Sequence, residues 1–298
     1  MQPIKKIDVH AHCTLYPDIV PKYIGLDYAM PGPDVLMDFY DKLNIERGLL
    51  LPIISPEAFY FTMTNENCKT IADAHPDRFF WACNVDPRAI THTNDAQLGY
   101  LLEHYKNLGA KSFGELTSNL YADDPMTDNL LGYCAELDLP VTIHIAESNY
   151  GYYGIIDELG LPRIRKMLKK HPKLKILGHS MCFWSELGEN NDEIRGHFPK
   201  GKVRNGAIQE MMYEYENLYC DISANSGANA MMRDREYTAW FLNEFSDRVL
   251  YGCDLCRADS RFPFLLDEYL TSMRESGEIK EDTYKKLVRE NAINLFKL

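Results

Sequence analysis

The chain has 298 residues, 45% of them hydrophobic, and a formal net charge of -12 at neutral pH. That size allows a large buried core, and the acidic balance disfavours nucleic-acid phosphate or an anionic membrane as the main partner. No apolar run is long enough to span a bilayer and no basic-then-apolar leader follows Met1, so the expectation is a cytoplasmic protein working on a small-molecule substrate, with a homo-oligomer possible.

The first informative stretch is Ile7-Asp8-Val9-His10-Ala11-His12. It reads as a short buried strand that runs out where the histidines begin. Residues two apart on a strand share a face, so His10 and His12 can aim two imidazoles at one point, which suits a divalent metal. A surface histidine pair after a strand is the alternative, and further ligands downstream must decide.

Apolar, β-branched runs recur along the chain, centred near Ile7, Leu50, Trp81, Ser112, Ile143, Ile176, Tyr219 and Leu250. Helical stripes lie between them: Leu36, Phe39, Tyr40 and Leu43, then Leu98, Leu101, Leu102, Tyr105 and Leu108. Further stripes are Leu130, Cys134 and Leu137; Ile164, Met167 and Leu168; Ile208, Met211, Met212 and Tyr215; and Trp240, Phe241 and Phe245. A weaker helix follows Asn65 and closes at His75-Pro76, and the tail from Thr283 to Leu298 reads as the last helix, with Leu287, Ala292 and Phe296 inward. Strands alternating with helices imply parallel pairing, because each crossover needs a helix. The expected fold is therefore α/β, a (β/α)8 TIM barrel forming one domain over residues 1–298. A doubly wound open sheet is the competitor, but no Gly-rich phosphate loop follows any strand. Long connections after the first, fifth and sixth strands would cover a site on the C-terminal face. Trp184, Tyr150, Tyr152 and Tyr153 within them are candidates for an aromatic lid, with plain packing inside the loops as the other reading.

Four more strands end in metal-ligand residues. Ala110–Glu115 ends in a carboxylate, Val141–His144 and Lys175–His179 end in histidine, and Val249–Asp254 ends in aspartate. Six such side chains on one barrel rim are hard to explain as accidents of loop onset, and they point to a metal site. His75 and His171 both precede proline at helix ends and read as surface residues, while His92, His104 and His197 have no partners in sequence. The eight cysteines are scattered, with Cys83, Cys220 and Cys253 inside expected strands, a pattern of reduced core thiols. Cys253-x-x-Cys256 lacks the second pair that a zinc knot would need.

The order His-x-His, Gly-Glu, His, Gly-His and Gly-x-Asp on successive strands resembles the amidohydrolase superfamily, most closely its amidohydrolase-related ("amidohydrolase 2") branch. His75-Pro-Asp-Arg-Phe, Asn84-Val-Asp-Pro and the closing Glu290-Asn-Ala-Ile-Asn-Leu-Phe are similar too, so the likeness spans essentially the whole chain. It implies a metal-dependent enzyme in which His10, His12 and Asp254 hold one ion, zinc being the expected metal. Glu115 would bridge to a second ion held by His144 and His179, as in TatD-like deoxyribonuclease relatives. Lys111, earlier on the same strand, is the weaker candidate for the carboxylated lysine that many members use as a bridge. In mononuclear decarboxylase relatives His144 joins the first ion and His179 is catalytic. The resemblance thus implies a hydrolase of a small ester, amide or lactone, with a decarboxylase or hydratase as alternative; a barrel that only binds a ligand or partner is a third reading, against which the intact ligand set argues.

Asp254 is the expected general base, ligand and base together, with His179 as the second catalytic candidate. On the substrate side, Ser223, Asn225, Ser226 and Asn229 surround a glycine after the seventh strand, where an ordinary polar turn plus a helix start is the competing reading. Arg233 and Arg257 are candidates for pairing a substrate carboxylate or phosphate, though each has an acidic neighbour, Asp234 and Asp259, to engage instead.

Overall fold

The computed structural model describes residues 3–57, 61–147, 153–189 and 195–298. Ten strands run through it: β1 (Lys6–Ala11), β2 (Ile45–Leu50), β3 (Phe79–Trp81), β4 (Phe113–Leu116), β5 (Ser118–Tyr121), β6 (Val141–Ala146), β7 (Gly154–Ile156), β8 (Ile176–His179), β9 (Leu218–Asp221) and β10 (Val249–Leu250). The helices between them are α1 (Pro33–Leu43), α2 (Asn65–Ala74), α3 (Gly99–Asn107), α4 (Pro125–Glu136), α5 (Pro162–Lys170), α6 (Met181–Ser185), α7 (Ala207–Glu214), α8 (Ala224–Met232) and α9 (Arg235–Glu244). Helix α10 (Phe262–Glu275) follows, and α11 (Glu281–Lys285) continues through a π turn at Lys286–Glu290 into α12 (Asn291–Phe296).

All the expected strands are present and pair in parallel. Strands β1, β2 and β3 form one run, and β4, β6, β8, β9 and β10 form another. Backbone hydrogen bonds join the two runs at both seams. At the first, the Cys83 and Gly114 amides donate to the Ser112 and Cys83 carbonyls, both at 2.9 Å. At the second, the Val9 amide donates to the Tyr251 carbonyl at 3.1 Å and the Asp254 amide to the His10 carbonyl at 2.8 Å. Eight parallel strands therefore close into a ring, the (β/α)8 barrel. Strands β5 and β7 were not expected. They extend β6 outward by a short parallel ladder in the order β6-β7-β5. Helix α10 was also unexpected; its Leu266, Leu270 and Met273 face the core.

The helix stripes fill the layer between strands and helices. Leu36, Phe39, Tyr40 and Leu43 of α1 are buried, as are Ile208, Met211 and Met212 of α7. The α3 stripe is only partly so: Leu98 and Leu102 are buried, whereas Leu108 is exposed. A second core lies inside the barrel, where Ile7, Val9, Leu49, Leu51, Phe80, Ala82, Leu177 and Leu250 pack with Ala292, Leu295 and Phe296. The tail sits under the N-terminal strand ends, since Lys111 Nζ donates to the Lys297 carbonyl at 3.4 Å and the Lys297 ammonium pairs with Asp138. That placement sends Lys111 away from the opposite, histidine-bearing rim. Asp8 clamps β1 to the strand beside it: its carboxylate accepts from the amides of His10 (2.9 Å) and Cys253 (2.8 Å) and from the Tyr40 hydroxyl (2.8 Å). Burial nonetheless pushes its carboxyl up to about 7. All eight cysteines are free and seven are buried. No described helix is long and apolar enough to cross a membrane.

Phe296 plugs the barrel floor, its ring centroid 5.7 Å from that of Phe80. Phe296→Ala should lower unfolding free energy by about 3–5 kcal/mol, the usual cost of an aromatic core cavity. Urea denaturation measures it; an unchanged midpoint would show that the tail is dispensable for the barrel.

Candidate metal centre

The rim gathers all six expected ligands. His144 and His179 are register partners on β6 and β8, which sets them at one level of the barrel. His10 and His12 come from the end of β1, Glu115 from β4, and Asp254 from the turn after β10, where its backbone adopts a left-handed φ of 49°. Gly252 makes room for this convergence. A Cβ there would lie 2.9 Å from Asp221 Oδ1 and 3.3 Å from His10 Cβ.

The imidazoles are held in a defined tautomer. His12 Nδ1 lies 3.0 Å from the Leu51 carbonyl, which only accepts, so Nδ1 carries the proton and Nε2 presents its lone pair inward. His10 Nδ1 donates likewise to Asp221 Oδ2 at 2.7 Å. The same carboxylate oxygen lies 3.3 Å from His179 Nδ1, which is also 3.1 Å from Ser223 Oγ. Asp221 is fixed in turn by the Ser223 amide at 2.9 Å, while the buried Trp184 indole donates to its carbonyl at 3.0 Å. Trp184 is therefore a support beneath the site and not part of a lid. Tyr150 and Tyr152 lie outside the described residues. Tyr153 does reach the site, its ring 4.3 Å from that of His144.

Two carboxylate oxygens face the inward nitrogens of His10 and His12. His10 Nε2 and His12 Nε2 are 3.2 Å apart; Glu115 Oε2 is 3.7 and 3.4 Å from them, and Asp254 Oδ1 is 3.7 and 3.6 Å. An ion with ligand distances of about 2.0–2.2 Å holds adjacent ligand atoms roughly 3–3.6 Å apart, close to these five separations. Two imidazoles and two carboxylates are thus a donor set suited to a divalent cation. The other Glu115 oxygen, Oε1, faces His144 Nδ1 at 2.7 Å and His179 Nε2 at 4.0 Å. That second group, Glu115, His144 and His179, also brings three donor atoms together, less regularly.

The charges suit a cation as well. Burial opposes ionisation of Asp254, yet His10, His12 and His179 hold it below the usual carboxylate range. Burial is likewise overcome at Glu115, held well below by His144, His10 and His12, and at Asp221, held low by His10 and His179. His10 is raised well above the ordinary imidazole value: burial disfavours its charge, but Asp254 and Asp221 favour it more. His144, dominated by burial, is lowered. Three ionised carboxylates among buried imidazoles make a site whose charge a divalent cation would balance in place of protons.

A cavity of about 740 Å³ opens above these residues, with His144, His179 and Asp254 in its floor. Tyr153, Met181, Phe198 and Phe262 give it apolar walls, and Asn225, Ser226, Cys256 and Arg257 contribute polar groups. Asn225 and Ser226 thus reach the cavity, from the first turn of α8 rather than from a glycine turn. Arg257 lines it while engaging Asp259 at 3.1–3.2 Å and covering the Tyr28 ring. Arg233 is not brought there; its Nε donates to the Gly201 carbonyl at 3.3 Å, and Asp234 pairs with Lys202. Asn229 donates to the Pro199 carbonyl. Asp221 is the functional residue that the sequence reading missed. Its signal was the one that found Asp254, an acid closing an apolar strand.

A barrel carrying imidazoles and carboxylates on its C-terminal rim defines a metal-centre enzyme scaffold. The chain matches the family described as Amidohydrolase over residues 7–298, and it belongs to that family of the amidohydrolase superfamily of enzymes. No functionally curated protein matches it. Among solved structures it is similar to an uncharacterized TIM-barrel protein from Bordetella bronchiseptica, at 17% identity and a TM-score of 0.66, covering 99% of each chain. A dihydroxybenzoic acid decarboxylase from Polaromonas with bound manganese and the inhibitor 2-nitroresorcinol is 18% identical, with a TM-score of 0.60 and coverage of 98% of this chain and 97% of that one. A probable 2-pyrone-4,6-dicarboxylic acid hydrolase from Acinetobacter baumannii with citric acid bound is 12% identical, with a TM-score of 0.59 and coverage of 99% and 100%.

Asp221→Asn keeps the side chain's size but removes the charge that orients His10 and His179. We expect metal affinity to fall about 10- to 100-fold with the barrel intact. Competition with a chromogenic chelator measures this; unchanged affinity would reduce Asp221 to a packing role.

Proposed function

We propose that the chain is a metal-dependent hydrolase acting on a small-molecule ester, amide or lactone, with zinc as its resident ion. Glu115 carries this reading. One of its oxygens faces His10 and His12 and the other faces His144 and His179, as a carboxylate shared between two cations would. Such a centre supplies Lewis acidity, lowering the pKa of water to about 7 and polarising an acyl oxygen.

The chain's own residues then divide the work. Asp254 sits between the His10–His12 pair and His179, with Oδ1 toward the former and Oδ2 3.7 Å from His179 Nε2. Its carboxylate is kept ionised, so it can take a proton from the attacking water and pass it to the leaving group. Asp221 and the Leu51 carbonyl keep the imidazoles aimed during that transfer. Asn225, Ser226 and Arg257 offer hydrogen bonds and charge to the remainder of the substrate, and the apolar wall excludes water from it.

A second reading is a metal-dependent decarboxylase on the same scaffold. It is favoured by the close set that Asp254 Oδ1 makes with His10 Nε2 and His12 Nε2 beside the looser second group, and by the manganese-bound decarboxylase neighbour. There a single ion would sit with His10, His12 and Asp254, and His179 would serve as the proton-transfer group. Screening esters, amides and lactones for hydrolysis, and hydroxylated aromatic acids for carbon dioxide release, separates the two.

For the hydrolase, Glu115→Gln should lower bound metal from two equivalents to one in a folded barrel, read by elemental analysis. Unchanged stoichiometry would remove Glu115 from the bridging role. Asp254→Asn should keep at least one ion yet lose roughly a hundredfold or more in kcat on whichever substrate the screen identifies. Near-normal turnover with metal present would move the base elsewhere, to His179 first.

A further inference from the structure

One donor beside the centre has no role in the account above. Cys256 follows Asp254 by two residues and lines the cavity. Its thiol donates to Asp254 Oδ1 at 3.0 Å, the oxygen that also faces His10 and His12. Sγ, that carboxylate and a ring nitrogen of His12 all lie within 4.8 Å of one another, so the sulfur belongs to the same donor cluster.

The backbone puts it there. The left-handed φ at Asp254 and the Cys256 amide donating to the Asp254 carbonyl at 3.0 Å fold the chain back over its own carboxylate. From the long loop after β1, the Tyr23 hydroxyl then pins the Cys256 carbonyl at 2.7 Å. Cys253 does not share this position; its Sγ lies 3.9 Å from the Tyr251 hydroxyl. The two cysteines of the Cys-x-x-Cys pair are thus separate in role, one in the core and one at the rim.

We propose that Cys256 is a sulfur ligand to the cation held by His12 and Asp254, approaching it from the cavity side. This rests on the metal reading of the site given above. The exchange balances simply: a sulfur–metal bond forms, the thiol proton leaves to solvent, and nothing is oxidised. A soft sulfur in an otherwise nitrogen and oxygen set shifts selectivity toward zinc, cobalt and cadmium and away from manganese and magnesium. The centre would then differ in metal preference from one built of imidazoles and carboxylates alone.

The test loads the full-length protein with cobalt(II) and records its absorption spectrum beside those of Cys256→Ser and Cys256→Ala. Visible d–d bands report that cobalt is bound, and a sulfur-to-cobalt charge-transfer band in the near ultraviolet reports the ligand. The expected result is a charge-transfer band in the native protein that both variants lose while keeping their d–d bands. Zinc affinity in the variants should fall roughly tenfold or more relative to manganese affinity. Native protein with d–d bands but no charge-transfer band would overturn the proposal and leave Cys256 as a hydrogen-bond donor to Asp254. The native spectrum decides this even if both variants misfold. A chain that takes up no cobalt would contradict the metal reading itself, and this proposal with it.

Discussion

The pairing of a buried carboxylate, Asp221, with the outer nitrogens of His10 and His179 is the contact on which the rim is built. Both rings must present Nε2 inward for the donors to converge, and an imidazole in an apolar wall has no intrinsic reason to choose that tautomer. One carboxylate oxygen serves both rings from strand β9, and the Trp184 indole and the Ser223 amide hold that strand end in place. Three parts of the chain distant in sequence are thereby coupled through a single charge. Removing it would leave the ligands present but their lone pairs free to turn away.

The barrel explains why such a contact is possible. Parallel strands bring all their C-terminal ends to one level, so residues hundreds of positions apart become neighbours without any loop having to carry them. The ring is closed on both sides of β1, and the seam to β10 is also the place where Asp254 is presented, its amide bonded to the His10 carbonyl. Closure of the fold and assembly of the site use the same hydrogen bond. Asp8, clamping β1 to Cys253 and to the Tyr40 hydroxyl, reinforces that seam from within.

Much of this was legible because barrel ligands obey a local rule, an apolar run ending in a side chain that binds metal. His10, His12, Glu115, His144, His179 and Asp254 all follow it, and the structure brings them together. Asp221 follows it too, closing Leu218–Asp221, but reads as the start of a polar turn when no partner is visible in sequence. Strands β5 and β7 have four and three residues, too short for alternation to register. Arg233 falls outside the cavity because it sits at the C-terminal cap of α8, where its Nε engages the Gly201 carbonyl. Cys256 was unreadable for another reason. Its approach to Asp254 depends on a left-handed backbone at an aspartate, which no sequence pattern announces.

The central claim, that this rim is a metal centre oriented by buried carboxylates, is tested most directly by anomalous X-ray diffraction from crystals grown without chelator, at the zinc and manganese absorption edges. The account predicts an anomalous peak enclosed by His10, His12, Glu115 and Asp254, about 2.0–2.2 Å from the two Nε2 atoms. No anomalous scatterer at the rim, with the four side chains linked only to one another or to water, would contradict it.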